Sequence, residues 1–141
     1  MKKSRVEKEL QRGATQITVL KTFLIGMEGQ ETLSDKGKFA SSHKEKCYKA
    51  INSLEEILER IPKGYGVAAL IEKSGLKREI HRGINQISAL KIVLTGVEEQ
   101  ETLIGKGEFV DRHKDRLYKS LNGLEETLQR ILICLQNPAQ T

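Results

Sequence analysis

Shifted by seventy residues, the chain falls on itself. Ser4 to Ile61 aligns without a gap on Ser74 to Ile131: RGATQITVLK on RGINQISALK, GQETLSDKGKF on EQETLIGKGEF, and YKAINSLEEILERI on YKSLNGLEETLQRI, with roughly half of the positions identical. An internal repeat constrains the fold before any local pattern does, because each copy has to be one supersecondary unit that its neighbour helps to bury. Within 141 residues a unit of about 60 buries too little surface to be stable alone, so the two copies are expected to share one core.

The apolar residues of each copy recur at alternating steps of four and three. Val6, Leu10, Gly13, Ile17, Leu20, Leu24 and Met27 are matched by Leu76, Ile80, Gly83, Ile87, Leu90, Leu94 and Val97. Later come Cys47, Ile51, Leu54, Leu58 and Ile61, then Leu117, Leu121, Leu124, Leu128, Ile131 and Leu135. That spacing is a helix with a heptad-like stripe, and two such stretches per copy make an αα-hairpin. The sequence therefore predicts an all-α fold, a tandem duplication of a long αα-hairpin forming a pseudo-twofold antiparallel four-helix bundle. Repeat 1 spans 4–61, a linker 62–70, repeat 2 71–136 and a tail 137–141.

Glycine within an apolar stripe costs about 1 kcal/mol relative to alanine unless close packing compensates. Gly13 and Gly83 are expected to let the first helices of the two hairpins approach across the axis, with the second helices outside. Pro62 is expected to end the second helix, with Lys63-Gly64-Tyr65-Gly66 as the turn between the hairpins. Val67 to Leu70, and the extra apolar turn Leu132 to Leu135, are expected to cover one end of the bundle, or in the latter case to join copies of the chain in a homo-oligomer.

Charge excludes some classes of function. The net charge is +5, carried mainly by the first half, with Lys and Glu interleaved along the helices. A nucleic-acid binder concentrates cations on one face. One stretch, VAALIEKSGLKREIHRGINQI over 67–87, has the outline of a helix-turn-helix with Lys77, Arg78, His81 and Arg82 on the second helix. The aligned stretch of the first copy has no glycine at the turn, and the heptad phase runs through Leu76 and Ile80 unbroken. DNA binding through this segment is thus a minor alternative. The charged VEKELQRG after the basic start lacks the apolar run of a secretory signal, and Cys47 and Cys134 fall at unmatched repeat positions, reading as free thiols of a cytoplasmic protein.

The polar residues worth attention recur between paired glycines, Gly26 to Gly37 and Gly96 to Gly107, expected to cap helices or to relax the backbone around the hairpin turn. Glu28, Gln30, Glu31, Thr32 and Lys36 reappear as Glu98, Gln100, Glu101, Thr102 and Lys106. His43, Lys44, Tyr48 and Lys49 reappear as His113, Lys114, Tyr118 and Lys119. Two roles compete. The threonines can cap the second helix of each hairpin; alternatively these residues form a recognition surface, with carboxylate acceptors, lysine contacts and an anion-binding helix end. In an antiparallel assembly of the hairpins the two loops would lie apart, giving two similar sites.

His43 and Cys47 have a spacing that can place two metal ligands on one helix face, yet Leu117 replaces the cysteine in the second copy, and no metal or cofactor is expected. No catalytic serine motif, phosphate loop or dinucleotide fingerprint is present, and a nearby histidine does not by itself activate Cys47 as a nucleophile. The expectation is a non-enzymatic regulator, inhibitor or adaptor that binds another protein. The rival is sequestration of a small anionic ligand such as a nucleotide, held by the repeated lysines with a tyrosine ring stacked on its base.

Overall fold

The computed structural model describes the backbone of residues 2–64 and 76–136 and the side chains of 7–61 and 77–133. Four helices make up the described residues: α1 (Lys2–Glu28), α2 (Leu33–Gly64), α3 (Leu76–Glu99) and α4 (Leu103–Gln136). The expected cover of the bundle end by Val67 to Leu70 and the side chains of Cys134 and Leu135 fall outside that range.

Contacts between named residues set the direction of every helix. Lys21 on α1 pairs with Glu125 on α4 at 3.2 Å, and Lys91 on α3 with Glu55 on α2 at 2.8 Å. Further up, Glu28 meets Lys114 and Glu98 meets Lys44. From 21 to 28 along α1 the partners run from 125 back to 114 on α4, and from 91 to 98 along α3 they run from 55 back to 44 on α2, so helices adjacent around the bundle run antiparallel. One aliphatic core joins both hairpins, from Leu10, Ile17 and Leu24 through Leu54, Leu58 and Ile61 to Leu90, Leu124 and Ile131. Burying each such side chain is worth roughly 1.5–3 kcal/mol, which neither hairpin could collect alone.

Three expectations are corrected. First, the close pair across the bundle is α2 with α4, not α1 with the first helix of the second hairpin; α1 and α3 flank that pair. Second, the close backbone approach lies at Gly37 and Gly107. A Cβ on Gly37 would overlap the Leu103 carbonyl and stand 2.6 Å from its carbon, and one on Gly107 would stand 2.9 Å from the carbonyl carbon of Leu33. Gly13 and Gly83 instead admit leucine side chains: a Cβ there would come within 2.9 Å of Leu128 Cδ1 and 2.8 Å of Leu58 Cδ1. Third, α2 continues past Pro62 to Gly64. The missing proline N–H removes one hydrogen bond in the final turn, which leaves the helix to stop at glycine.

Below the middle of the bundle, Thr127 is fully buried and its Oγ1 has no hydrogen-bond partner. The position seventy residues earlier holds Ile57. A buried hydroxyl without a partner costs about 1–3 kcal/mol, so Thr127→Val, which keeps the shape, is expected to raise stability by about 1 kcal/mol in urea titration. An unchanged or lowered midpoint would mean that the hydroxyl is satisfied in solution.

Candidate functional site

Both hairpin turns come together at one end of the bundle. The expectation that they lie apart is overturned by the same contacts that set the helix directions: Leu33 faces Gly107, Gly37 faces Leu103, and Glu28 reaches Lys114. Because α2 and α4 run the same way and cross at their first turns, two loops that share the QETL motif lie side by side.

The repeated glutamines and threonines of the motif have local partners. The side-chain amide of Gln30 donates to the Gly26 carbonyl at 3.2 Å, and that of Gln100 to Gly96 at 3.4 Å, satisfying carbonyls left open at the helix ends. Thr32 Oγ1 accepts from the Asp35 amide at 3.0 Å and Thr102 Oγ1 from the Gly105 amide at 2.8 Å, so both threonines are N-caps. Gly26 and Gly96 sit inside α1 and α3 rather than capping them. Each makes room for a ring: a Cβ would lie 3.0 Å from Phe39 Cε1 or 2.8 Å from Phe109 Cε1. Glu31 and Glu101 alone in the motif stand fully exposed without a side-chain partner among the described residues.

The lysines and tyrosines clasp one hairpin to the other. Lys36 Nζ donates to Asp111 at 2.8 Å, Lys44 lies 3.5 Å from Glu98, and Lys114 lies 3.8 Å from Glu28. The Tyr48 hydroxyl donates to Glu98 and that of Tyr118 to Glu28. Partial burial, then the adjoining carboxylate, raises both phenols, that of Tyr118 to about 12. Glu98 is held below its ordinary value, chiefly by the Tyr48 hydrogen bond and then by Lys44. Lys49 and Lys119 are exposed.

The clasp has a consequence at alkaline pH. A phenol whose folded value lies above its unfolded one gives stability that is complete below the ordinary value of 10.0 and is lost as pH rises toward 12. Stability is therefore expected to fall between pH 10 and 12 less steeply in the Tyr48→Phe, Tyr118→Phe double variant than in the parent chain. Parallel urea-midpoint curves for the two proteins would show that the phenols keep their ordinary values.

The histidines are packing residues of the helix boundary. His43 Nδ1–H donates to the Phe39 carbonyl at 3.0 Å and the ring stacks on Phe39 with centroids 4.2 Å apart; His113 repeats this on Phe109. Cys47 is buried and free, its thiol pushed up to about 12 by desolvation against a small opposing effect of Lys46, so it is a poor nucleophile at neutral pH. Among the described residues no three His, Cys, Asp or Glu side chains gather as metal ligands, and no helix is long and apolar enough to cross a membrane.

Lys77, Arg78, His81 and Arg82 all occupy the first turns of a single helix, α3, with their side chains exposed and Arg82 3.9 Å from Glu79. Gly75, the turn residue of the helix-turn-helix outline, lies outside the described residues.

Two groups of residues were not anticipated from the sequence. Glu9 lies 3.3 Å from Arg12 and 3.8 Å from Arg60, and Glu79 lies 3.9 Å from Arg82 and 3.6 Å from Arg130, at the end remote from the turns. Their signal was available, since all six residues match at the seventy-residue offset. The second group lines an open cleft of about 240 Å³ between α1 and α2, with Val19, Phe23, Phe39 and Lys46 among its walls. Most of its residues, Val19 and Phe23 among them, differ between the copies, so the repeat does not mark it, although Phe39 recurs as Phe109. Compared with protein-family models, curated proteins and solved structures, the chain matches none.

Proposed function

We propose that this chain is a non-enzymatic helical adaptor or inhibitor that works by binding another protein, and that its bundle arose by tandem duplication of one hairpin with a pseudo-twofold relation between the copies. The duplication is supported by contacts that recur at the seventy-residue offset: Lys21–Glu125 with Lys91–Glu55, Lys44–Glu98 with Lys114–Glu28, and Arg60–Glu9 with Arg130–Glu79. One observation carries the functional reading. The repeated lysines best suited to hold an anion, Lys36, Lys44 and Lys114, are engaged with carboxylates of the opposite hairpin, whereas the outer face of α1 and α2 keeps an unfilled, largely apolar cleft. Polar groups paired with one another and apolar groups left at the surface suit protein docking.

Photo-crosslinking from a reactive residue at Thr22, in the cells the protein comes from, is expected to give a discrete adduct with a second protein. The same experiment from Glu31 and Ile92 samples the other faces, and no heteromeric adduct from any of the three positions would contradict the reading.

A second reading, capture of a small anion, has one observation in its favour. Lys106 has no carboxylate within 4.0 Å among the described residues, because Ser41 stands where Lys36 finds Asp111. If protein binding is the function, titration with inorganic phosphate gives no heat that Lys106→Ala removes; a saturable heat lost in that variant would favour the anion.

A further inference from the structure

The cleft between α1 and α2 differs from the rest of the surface in both shape and charge. Its volume of about 240 Å³ exceeds the roughly 150 Å³ that accepts a benzene-sized group. Val19, Phe23 and Phe39 give it an apolar floor, the two phenyl centroids 5.8 Å apart. Its lining includes the cation Lys46 and no carboxylate. Lys46 has no ion pair within 4.0 Å among the described residues, unlike Lys36, Lys44 and Lys114 at the hairpin turns. Along the opposite rim, Thr15 and Thr18 donate their hydroxyl protons to the carbonyls of Gln11 and Ala14 at 3.1 Å. Their oxygens thereby present lone pairs outward, able to accept from a donor such as a backbone or side-chain N–H.

The α1 wall of the cleft is particular to the first hairpin, whereas on α2 Phe39 and His43 recur as Phe109 and His113 and Lys46 is matched by Arg116. At the seventy-residue offset Val19 and Phe23 become Ala89 and Val93, and Thr22 becomes Ile92, which is 67% exposed. The clasp residues Glu28, Lys44 and Tyr48, by contrast, are retained as Glu98, Lys114 and Tyr118.

Resting on the protein-binding reading, we infer that this cleft docks an acidic amphipathic segment of a partner protein. A leucine- or phenylalanine-sized side chain enters between Val19, Phe23 and Phe39, and a flanking carboxylate pairs with Lys46. Helix-in-groove docking of this kind combines an apolar anchor with charges on the rim, and the unpaired lysine selects the sign of the partner's charge.

The test is selection of phage-displayed random 16-residue peptides on the intact chain, followed by affinity measurements against two surface variants. Enriched peptides are expected to combine Leu or Phe with Asp or Glu. Val19→Glu, which sets a charge on the apolar floor, is expected to weaken them by about tenfold or more. Lys46→Glu should weaken acidic peptides and restore binding to copies in which Asp and Glu are exchanged for Lys. Circular dichroism and urea midpoints of both variants establish that the fold is kept. Selected peptides whose affinity neither substitution changes would overturn the site while leaving protein binding standing elsewhere on the surface. Enrichment of basic peptides, or of none, would overturn the inference itself, and the crosslinking experiment decides separately whether a protein partner exists.

Discussion

Gly37→Ala is expected to destabilise the protein by about 3–4 kcal/mol, at the upper end of what overpacking costs. In an exposed helix the same change would add up to about 1 kcal/mol. The sign is reversed because a methyl group at Gly37 meets the backbone of Leu103, 2.6 Å from its carbonyl carbon, and not a side chain that could rotate away. Backbone at a helix crossing can yield only by moving α2 and α4 apart, which loosens the core below. Gly107→Ala, facing the Leu33 carbonyl, should cost nearly as much. Gly123→Ala is the internal control, since a methyl group there meets only the flexible side chain of Gln86 at 3.3 Å. Denaturant titration of the three variants should separate two strongly destabilised proteins from one that is unchanged or slightly more stable. Equal midpoints for Gly37→Ala and Gly123→Ala would mean that α2 and α4 do not cross at the glycines.

The second large effect is at Leu58, which is fully buried with Cδ1 in the notch of Gly83. Leu58→Ala should cost about 2–5 kcal/mol, the transfer free energy of the lost carbons together with the cavity they leave. The companion prediction is a coupling. Gly83→Ala alone is expected to destabilise, because its methyl group would stand 2.8 Å from Leu58 Cδ1. With Leu58 truncated, that methyl enters vacated space and the helix propensity of alanine is recovered. The double variant should therefore be more stable than Leu58→Ala alone by about 1 kcal/mol. Strict additivity of the two costs would show that leucine and glycine are not in contact.

These cases also show what the sequence could and could not disclose. Helices and hairpins were legible because a stripe spaced three and four residues apart at Ile17, Leu20 and Leu24 has no other comfortable conformation. The arrangement of the hairpins was not. A heptad stripe records which face is buried without recording the direction of the helix packed against it, so the meeting of the two turns is not written in it. Three pairs of glycines recur in the sequence, yet Gly13 and Gly83 receive leucines, Gly26 and Gly96 receive phenyl rings, and Gly37 receives backbone as Gly107 does. Only the three-dimensional neighbours distinguish these uses.

The candidate residues divide in the same way. Thr32 and Thr102 could be read as caps from local chemistry alone, and they are. Lys36, Lys44, Tyr48 and Tyr118 were legible as recurring but not as clasps, because their partners lie fifty or more residues away. Repetition suggests recognition, whereas most of the repeated polar residues are engaged within the bundle, with the opposite hairpin or with nearby backbone. The cleft beside Phe23 is not marked by repetition, because most of its residues, Val19, Phe23 and the three threonines among them, differ between the copies, and its two walls meet only when α1 lies against α2.

The meeting of the two turns underlies the clasp, the glycine crossing and the assignment of function to the outer face. It is tested most directly by double electron–electron resonance between spin labels at Glu31 and Glu101, both exposed and neither engaged in the clasp. A single distance distribution centred below about 30 Å is predicted for turns at one end of the bundle. A distribution centred near 45 Å, about the length of α2 at 1.5 Å per residue, would place the turns at opposite ends and contradict the account.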